Sequence, residues 1–370
     1  MTHVSKPLLQ TKAQVRLAVG AHQPEHSARI LQTHNPRVLK IVPVADQVGD
    51  IRVNSVTGRV YFDHSDNQIG VLDGNTNQVI GNVGTGDGTA FLAVNTRTNR
   101  VYATNFRAGT VSVISGITNK LITNVSVGEH PFGIAIHRGR NRIYVANTSG
   151  TIVIIDGGTN RILQTLKVGG SPALVAVNER TNRIYVTNVG KDSVHVINGL
   201  TMRLIKTIKV GRNPIITPGI LPQTNRIFVA NNLSRFASVI SGSTLGKSTP
   251  IQLGRRQSEI AVNPLTNRIY ITSAQQVGKG KLYVINGQTN TIIRSLSIPT
   301  FSSLLVNPLS NRFYIGDSET RDLFVYNGLT NSLLVKLRTG LSAGNMTLNT
   351  RSNRIYVGNE RSITVIQDSR

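Results

Sequence analysis

Side chains suited to acid–base or nucleophilic chemistry are few in this sequence and poorly placed relative to one another. The run Asp63-His64-Ser65-Asp66 sets a carboxylate, an imidazole and a hydroxyl side by side, but neighbouring residues of a strand point to opposite faces of their sheet. Four of the eight histidines lie within the first 36 residues. The Cys-x-x-Cys-His haem-attachment motif is absent, because the sequence contains no cysteine. We therefore predict no catalytic residue and no cofactor.

Composition excludes one class of chemistry and suggests another kind of partner. The 370 residues contain no cysteine, so no disulfide, thiolate metal site or cysteine nucleophile can form, and we predict no metal site. Lys and Arg number 41 against 17 Asp and Glu, a formal net charge of +24. Such a charge attracts polyanions but says nothing about the fold. Nucleic acid, an anionic cell-wall polymer and acidic lipid head groups are all admissible partners.

The sequence contains an internal repeat, which predicts the strands that position these residues. An Arg-hydrophobic-aromatic triplet recurs eight times, and successive aromatic residues are 41, 42, 41, 43, 42, 44 and 42 positions apart. The triplets begin at Arg59, Arg100, Arg142, Arg183, Arg226, Arg268, Arg312 and Arg354. A period of 40–45 residues with four short strands per unit is typical of a β-propeller blade.

Each unit contains four β-branched runs separated by turn residues. In the second unit these runs lie at 91–94, 101–104, 111–114 and 121–127, and no segment has helical apolar periodicity. The last unit stops after its third run, Ile363-Thr364-Val365-Ile366, and residues 37–44 resemble the missing fourth strand. We predict an all-β propeller over residues 37–370 with eight four-stranded blades, the closing blade being shared between the two ends of the chain. Seven blades, the alternative, would leave one copy unplaced. Residues 1–36 lack the repeat and are predicted to be a flexible tail.

The repeats resemble those of the YVTN-repeat β-propellers, the family of surface-layer-like and YncE-like proteins. The motifs that match are Ile184-Tyr185-Val186-Thr187-Asn188, Val194-His195-Val196-Ile197-Asn198-Gly199 and the Val168-Gly169 pair. The resemblance covers residues 37–370 and implies the propeller fold. It implies little about function, because roles in this family range from cell-surface structure to DNA binding to domains attached to enzymes. No functional residue set follows from the motif.

The turns of a propeller divide its loops between two faces. Turns between strands one and two and between strands three and four share one end, here called the bottom face, and the remaining loops form the top face. The motif arginines and their neighbours fall on the bottom face, which predicts an electrically asymmetric disc. Polyanion binding is one interpretation of this face, and bonds from each arginine to turn carbonyls are the structural alternative. The residues are Arg100, Arg138, Arg140, Arg142, Arg183, Arg226, Arg268, Arg312 and Arg354.

Two sets of top-face residues are candidate binding sites. By analogy with other propellers, ligands are expected where the inter-blade loops converge on the central channel. Charged residues there could bind a small anion or a carboxylate: Asp87, Glu129, His130, Arg212, Arg255, Arg256 and Glu259. Loops between strands two and three lengthen in blades five to seven and could form a lobe for a partner, with Arg235, Phe236, Lys279, Lys281 and Arg321 as its contacts.

These observations favour a non-enzymatic binding or scaffold propeller that presents loop faces to a protein, a peptide or a polyanion. Salt-dependent DNA binding through the basic face is the second hypothesis, and a hydrolase or lyase with its site at the top of the channel is the third. We expect a monomer. No signal peptide is evident in the first residues, which slightly favours the cytoplasm over a secreted or surface location.

Overall fold

The fold is an eight-bladed β-propeller built only from strands and turns. The computed structural model describes residues 35–64, 67–276, 279–299 and 301–369. Within them, eight four-stranded antiparallel sheets form the blades, and the regular structure besides strands is two short 3-10 turns, Arg138–Arg140 and Val189–Lys191. The all-β class and the blade count are therefore confirmed, and seven blades are excluded. The predicted tail, apart from its last two residues, lies outside the described residues.

Blades one to four follow the chain without a break, each running from the innermost strand to the outermost. Blade one contains β2 (Ile51–Val53), β3 (Arg59–His64), β4 (Gln68–Asp73) and β5 (Gln78–Gly84). Blade two contains β6 (Thr89–Asn95), β7 (Arg100–Asn105), β8 (Thr110–Ser115) and β9 (Leu121–Ser126). Blade three contains β10 (Pro131–His137), β11 (Arg142–Asn147), β12 (Thr151–Asp156) and β13 (Ile162–Lys167). Blade four contains β14 (Pro172–Asn178), β15 (Arg183–Asn188), β16 (Ser193–Asn198) and β17 (Leu204–Lys209).

The remaining blades complete the ring and close it. Blade five contains β18 (Gly219–Leu221), β19 (Arg226–Val229), β20 (Phe236–Ser241) and β21 (Thr249–Gln252). Blade six contains β22 (Gln257–Asn263), β23 (Arg268–Gln276), β24 (Lys279–Asn286) and β25 (Ile292–Ile298). Blade seven contains β26 (Phe301–Asn307), β27 (Arg312–Asp317), β28 (Asp322–Asn327) and β29 (Leu333–Arg338). Blade eight contains β30 (Met346–Asn349), β31 (Arg354–Gly358), β32 (Ser362–Gln367) and β1 (Arg37–Pro43).

Blade eight is shared between the two ends of the chain, as the sequence predicts. Its outermost strand β1 pairs antiparallel with β32, and Ile41 lies opposite Thr364 in the register. Ring closure by a split blade leaves no end sheet with an uncovered face, so the last blade is stabilised by the first residues of the propeller.

The motif aromatic side chain of each blade packs into the next blade. Tyr61 of blade one lies in a buried cluster with Leu92, Val101 and Ile114 of blade two. The same arrangement closes the ring, because Tyr356 of blade eight packs with residues of blade one. Burial of a large side chain contributes about 1.5–3 kcal/mol, so the repeated aromatic residue stabilises the contact between blades more than the blade itself.

An asparagine precedes the motif arginine in seven of the eight blades, and Gly58 takes its place in blade one. The asparagine adopts the backbone conformation of the turn and makes a second contact between blades. Asn99 and Asn141 have φ values of 55° and 53°, in the left-handed region that asparagine tolerates better than most residues. Asn95 of blade two donates a hydrogen bond of 2.7 Å to Oδ1 of Asn141 in blade three. In blade three His137 takes the place of the first asparagine, and its Nε2 lies 3.0 Å from Oδ1 of Asn182.

Candidate functional site

The innermost strands of the propeller enclose a cavity in the central channel. Its volume is about 560 Å³, and it is bounded by the innermost strands of blades one to five. Apolar side chains from β6, β10, β14 and β18 line much of it, including Phe91, Ile134, Leu174 and Ile220. Its charged lining residues are Arg52 of β2 and, from the bottom turns, Arg138, Glu179 and Arg180. The cavity is large enough for a small ligand.

Charges in the channel meet around Arg52, which the sequence did not single out. Its guanidinium lies 2.8 Å from the Asp50 carboxylate, and its Nε donates to the carbonyl of Leu92 in blade two. Asp50 also accepts the N–H of Leu92 at 2.8 Å. The pair therefore ties the inner edges of blades one and two together. Burial raises the pKa of Asp50, and Arg52 opposes part of that rise.

Glu259 is the one predicted channel residue with a strongly altered acidity. It lies on the inner strand β22 and is half-buried. Desolvation raises its pKa to about 7, and the Arg52 guanidinium offsets part of the increase. A carboxyl group held partly protonated at neutral pH can donate as well as accept a hydrogen bond.

The seven predicted residues of the channel mouth do not form one constellation. Within the described ranges no hydrogen bond or ion pair joins any two of them. Asp87 instead forms an exposed ion pair of 3.5 Å with Arg107. The imidazole of His130 stacks on the Phe106 ring with centroids 4.8 Å apart. Glu129, Arg212, Arg255 and Arg256 are exposed.

An aromatic cluster at the top of blades two and three was missed by the sequence analysis. Phe91 and Phe132 occupy the starts of inner strands β6 and β10 and meet edge to face at 4.8 Å. Phe132 also approaches Phe106 at 6.2 Å, so the rings run from the cavity wall to the exposed His130. The cluster could have been predicted from sequence, because phenylalanine occurs at the start of two neighbouring inner strands.

Two channel-mouth residues have an unfavourable backbone conformation. His130 and Arg256 both have φ of 54°. The comparable loops before β6 and β14 use Gly88 and Gly170, with φ of 75° and 67°, where no side chain resists this geometry. A non-glycine residue in the left-handed region costs about 1–2 kcal/mol.

The run at Asp63 has no catalytic geometry in the described residues. Asp63 is buried on β3, and burial followed by repulsion from Asp50 raises its pKa to about 7. His64 is half-buried, and its ring centroid lies 6.0 Å from that of Phe62. Ser65 and Asp66 lie outside the described residues.

The predicted partner lobe is only partly made of loops. Arg235 and Arg321 are exposed residues between strands. Phe236 begins strand β20 and is half-buried, so it is not a freely projecting anchor. Lys279 and Lys281 belong to strand β24, where Lys281 pairs with Ser273 of β23. Blade six therefore extends its second and third strands into a longer hairpin where the sequence analysis assumed an irregular loop.

On the bottom face, the motif arginines reach the neighbouring blade. Arg59 of blade one donates to the carbonyls of Gly116 and Ile117 at 2.8 and 2.6 Å, and to Oδ1 of Asn119 at 3.1 Å. All three acceptors belong to the turn between strands three and four of blade two. Five others make the equivalent contact with turn carbonyls of the next blade, namely Arg100, Arg142, Arg226, Arg268 and Arg354, the last of which bonds Gly74 of blade one. Arg312 instead pairs with the Asp368 carboxylate of blade eight and also bonds the Ser369 carbonyl.

The exposed positive charge of the bottom face comes from other residues. Nine basic side chains of its turns are exposed: Arg97, Lys120, Arg138, Arg140, Arg161, Arg180, Arg203, Lys247 and Arg351. The carboxylates at this end are half-buried or buried, namely Asp73, Asp156, Glu179 and Asp368. Two of these are paired, Glu179 with Arg138 and Asp368 with Arg312. Seven of the nine basic residues lie in blades two to four, so this sector has the highest density of positive charge.

Comparisons with known proteins establish the structural class. No protein-family model matches the chain, and no curated protein sequence matches it. The fold is similar to Sqt1 of Saccharomyces cerevisiae (TM-score 0.76, 11% identity, covering 91% of this chain and 100% of that one). It is also similar to the computationally designed Ika8 protein (TM-score 0.70, 16% identity, covering 88% and 98%). Hydrazine synthase of Kuenenia stuttgartiensis is a third similar structure (TM-score 0.60, 16% identity, covering 76% and 96%). At these identities the likeness shows the propeller fold alone.

Proposed function

We propose that this chain is a non-enzymatic binding propeller whose bottom face binds a polyanionic partner. The observation that carries the proposal is the set of nine exposed basic side chains on that face, where the carboxylates are half-buried or buried. Charge of one sign concentrated on one surface raises the local concentration of an oppositely charged partner and speeds its association.

Five of these side chains are free to contact a partner. Lys120, Arg161, Arg203, Lys247 and Arg351 make no side-chain hydrogen bond or ion pair within the part of the chain that the structure describes. Seven of the eight motif arginines, in contrast, are bonded to the next blade, so they contribute long-range potential rather than direct contacts. Binding would thus depend on residues outside the repeat motif.

A catalytic role receives less support from the channel. Asp50 and Arg52 are occupied by each other and by the backbone of Leu92, which is the behaviour of a structural pair. Glu259 is poised to donate or accept a proton, but acid–base chemistry also needs a reacting group within hydrogen-bond reach. The channel geometry fits ligand binding better than turnover.

The test is salt-dependent binding of a sequence-free polyanion. Fluorescently labelled duplex DNA serves as the probe, titrated at several salt concentrations between 50 and 200 mM. We expect a dissociation constant of about 10⁻⁴–10⁻⁶ M near physiological salt, and a logarithmic salt slope of about −0.9 per phosphate contact. The triple substitution K120Q/R161Q/R203Q removes three unpaired charges and should flatten that slope by about 3.

The matched control removes three charges from the opposite face. R235Q/R255Q/R256Q makes the same change in net charge through exposed top-face residues and should leave the slope within experimental error of the unmodified protein. No binding at low salt, or equal losses in both triple variants, would reject the bottom face as the polyanion site.

A further inference from the structure

Six turns of the bottom face have an exposed apolar side chain at their tip. These residues, here called the bottom tips, are Val56, Ile117, Leu200, Leu265, Leu309 and Leu329. Leu329, Leu265 and Ile117 are 68%, 67% and 67% exposed, the largest fractions among the big apolar side chains of the described ranges. A single exposed apolar side chain needs no explanation, but six at the same turn position on one face call for one.

Turn geometry does not require apolar residues at these positions. Each bottom tip donates its backbone N–H to the side chain two residues earlier, as Leu265 does to Asn263 and Leu329 to Asn327. Arg97 and Gln288 make the same bond in other turns of the bottom face. Polar residues therefore serve the turn equally well, and the apolar choice at six positions needs another explanation.

Three bottom tips are held by the motif arginines. The carbonyl of Ile117 accepts a hydrogen bond from Arg59, that of Leu200 from Arg142, and that of Leu329 from Arg268. Their side chains are consequently presented on fixed turns rather than on slack loops. A surface whose contact groups are already ordered loses less conformational entropy when it binds.

Apolar and basic groups alternate on this face at short range. In the turns of blades two and four the apolar tip precedes an exposed base by three residues, Ile117 before Lys120 and Leu200 before Arg203. The outer strands then begin with further half-exposed apolar residues next to the same turns, such as Leu121 and Leu204, which are 40% and 41% exposed. The face therefore combines apolar turn tips, exposed positive charges and apolar residues at the start of the outer strands.

We propose that the bottom face docks on an anionic lipid bilayer, with the bottom tips entering the head-group region and the exposed bases contacting lipid phosphates. This proposal rests on the proposed function, since the lipid phosphates are its polyanion. The bottom tips come from blades one, two, four, six and seven, so a continuous apolar layer can receive all of them at once. DNA phosphates could satisfy the bases but would leave the tips in water, and a protein would need several separate pockets. Combining apolar insertion with basic residues is the two-signal arrangement that gives stable peripheral binding.

The first experiment separates apolar insertion from charge. Flotation with vesicles of 70% phosphatidylcholine and 30% phosphatidylglycerol is compared with flotation on pure phosphatidylcholine, using the full chain. We expect binding to the anionic vesicles, and at least a tenfold loss for L265S/L309S/L329S, which keeps every charge. The control I215S/L233S/L341S makes the same change at top-face residues that are 42%, 55% and 45% exposed, and it should bind as the unmodified protein does.

A spectroscopic readout confirms where the bilayer is touched. The chain has no cysteine, so Leu329→Cys introduces a single thiol for an environment-sensitive fluorophore, and Leu341→Cys gives the matched top-face position. A blue shift on adding anionic vesicles is expected at position 329 and not at 341. Equal shifts at both positions, or a shift at 341 alone, would overturn the proposed orientation.

The outcomes distinguish this proposal from the function on which it rests. If L265S/L309S/L329S no longer binds anionic vesicles but binds duplex DNA as the unmodified protein does, both proposals are supported. If the unmodified protein binds DNA but not anionic vesicles, or if the tip variant floats within twofold of it, the bilayer proposal fails and polyanion binding stands. If neither DNA nor anionic vesicles are bound, both fail. Unchanged thermal unfolding of each variant shows that the fold is retained.

Discussion

Substitution of Arg59 by methionine tests whether the motif arginines hold adjacent blades together. Methionine keeps an unbranched apolar stem but removes the donors that reach Gly116, Ile117 and Asn119 of blade two. A hydrogen bond from a charged donor contributes about 1.5–3 kcal/mol, and a buried acceptor left unpaired costs about 1–3 kcal/mol. Gly116 is buried whereas Ile117 is exposed. The variant therefore leaves the Gly116 carbonyl with only the long, 3.5 Å bond from the Tyr61 hydroxyl, and we expect a loss of about 2 kcal/mol.

The assay is thermal unfolding followed by circular dichroism. With an unfolding entropy of about 2.1 cal/mol/K per residue, a domain of this length should lose about 3 °C from its midpoint. Arg161→Met is the matched control, because Arg161 is an exposed arginine of the same face whose side chain makes no hydrogen bond in the described residues. The reasoning is refuted if Arg59→Met unfolds within 1 °C of the unmodified protein, or if Arg161→Met lowers the midpoint equally.

Two further predictions concern buried acids. Asp368→Asn should cost about 3–5 kcal/mol in urea unfolding, because it removes the charge of a buried carboxylate that pairs with Arg312 and accepts hydrogen bonds from Asn307 and Ser310. Asp87→Asn, which breaks an exposed pair, should cost under about 1 kcal/mol, and equal costs would contradict this. Since burial raises the pKa of Glu259 to about 7 from its ordinary value of 4.5, its contribution to stability is lost as the pH rises from 4.5 to 7. Glu259→Gln should therefore raise the unfolding midpoint at pH 8 and leave it unchanged at pH 4; no difference at pH 8 would contradict the assignment.

The blade architecture could be predicted from sequence because its causes are local. The motif asparagine adopts the left-handed turn, as at Asn99, and the residues after it alternate along a strand. Both features act within one repeat of about 42 residues. The strand pattern recurs eight times and the asparagine turn seven times, so the period alone counts the blades. The split blade followed from the same count, since the last unit stops after Gln367 and the missing strand begins at Arg37.

The role of the motif arginines could be predicted only in part. Bonding to turn carbonyls was the structural alternative, but the acceptors were expected within the same blade. The observed acceptors of Arg100 are Gly157 and Gly158 of the next blade, together with Asn160. These contacts depend on how adjacent blades pack around the ring, and no local sequence pattern specifies that packing. The exposed charge consequently belongs to residues outside the motif, such as Arg161 and Arg203.

The channel illustrates the same limit. Glu259 was a candidate from its position in an inter-blade loop, but the structure places it on an inner strand where Arg52, more than 200 residues earlier, is the charge that affects its pKa. The bottom tips are similar, because Leu265 and Leu329 are ordinary turn residues in sequence and become notable only when their exposure is known.

The sequence by itself determined the propeller, the eight blades and the closing strand, because strand alternation and turn chemistry operate between residues that are neighbours along the chain. Tertiary structure alone decided which charges are free and which apolar side chains remain in water. That division follows from ring closure, which brings together residues from different repeats and so sets burial and pairing. The arginine of the repeat is the clearest case. The repeat predicts where each arginine lies in its blade, but the hydrogen-bond partner belongs to the adjacent blade.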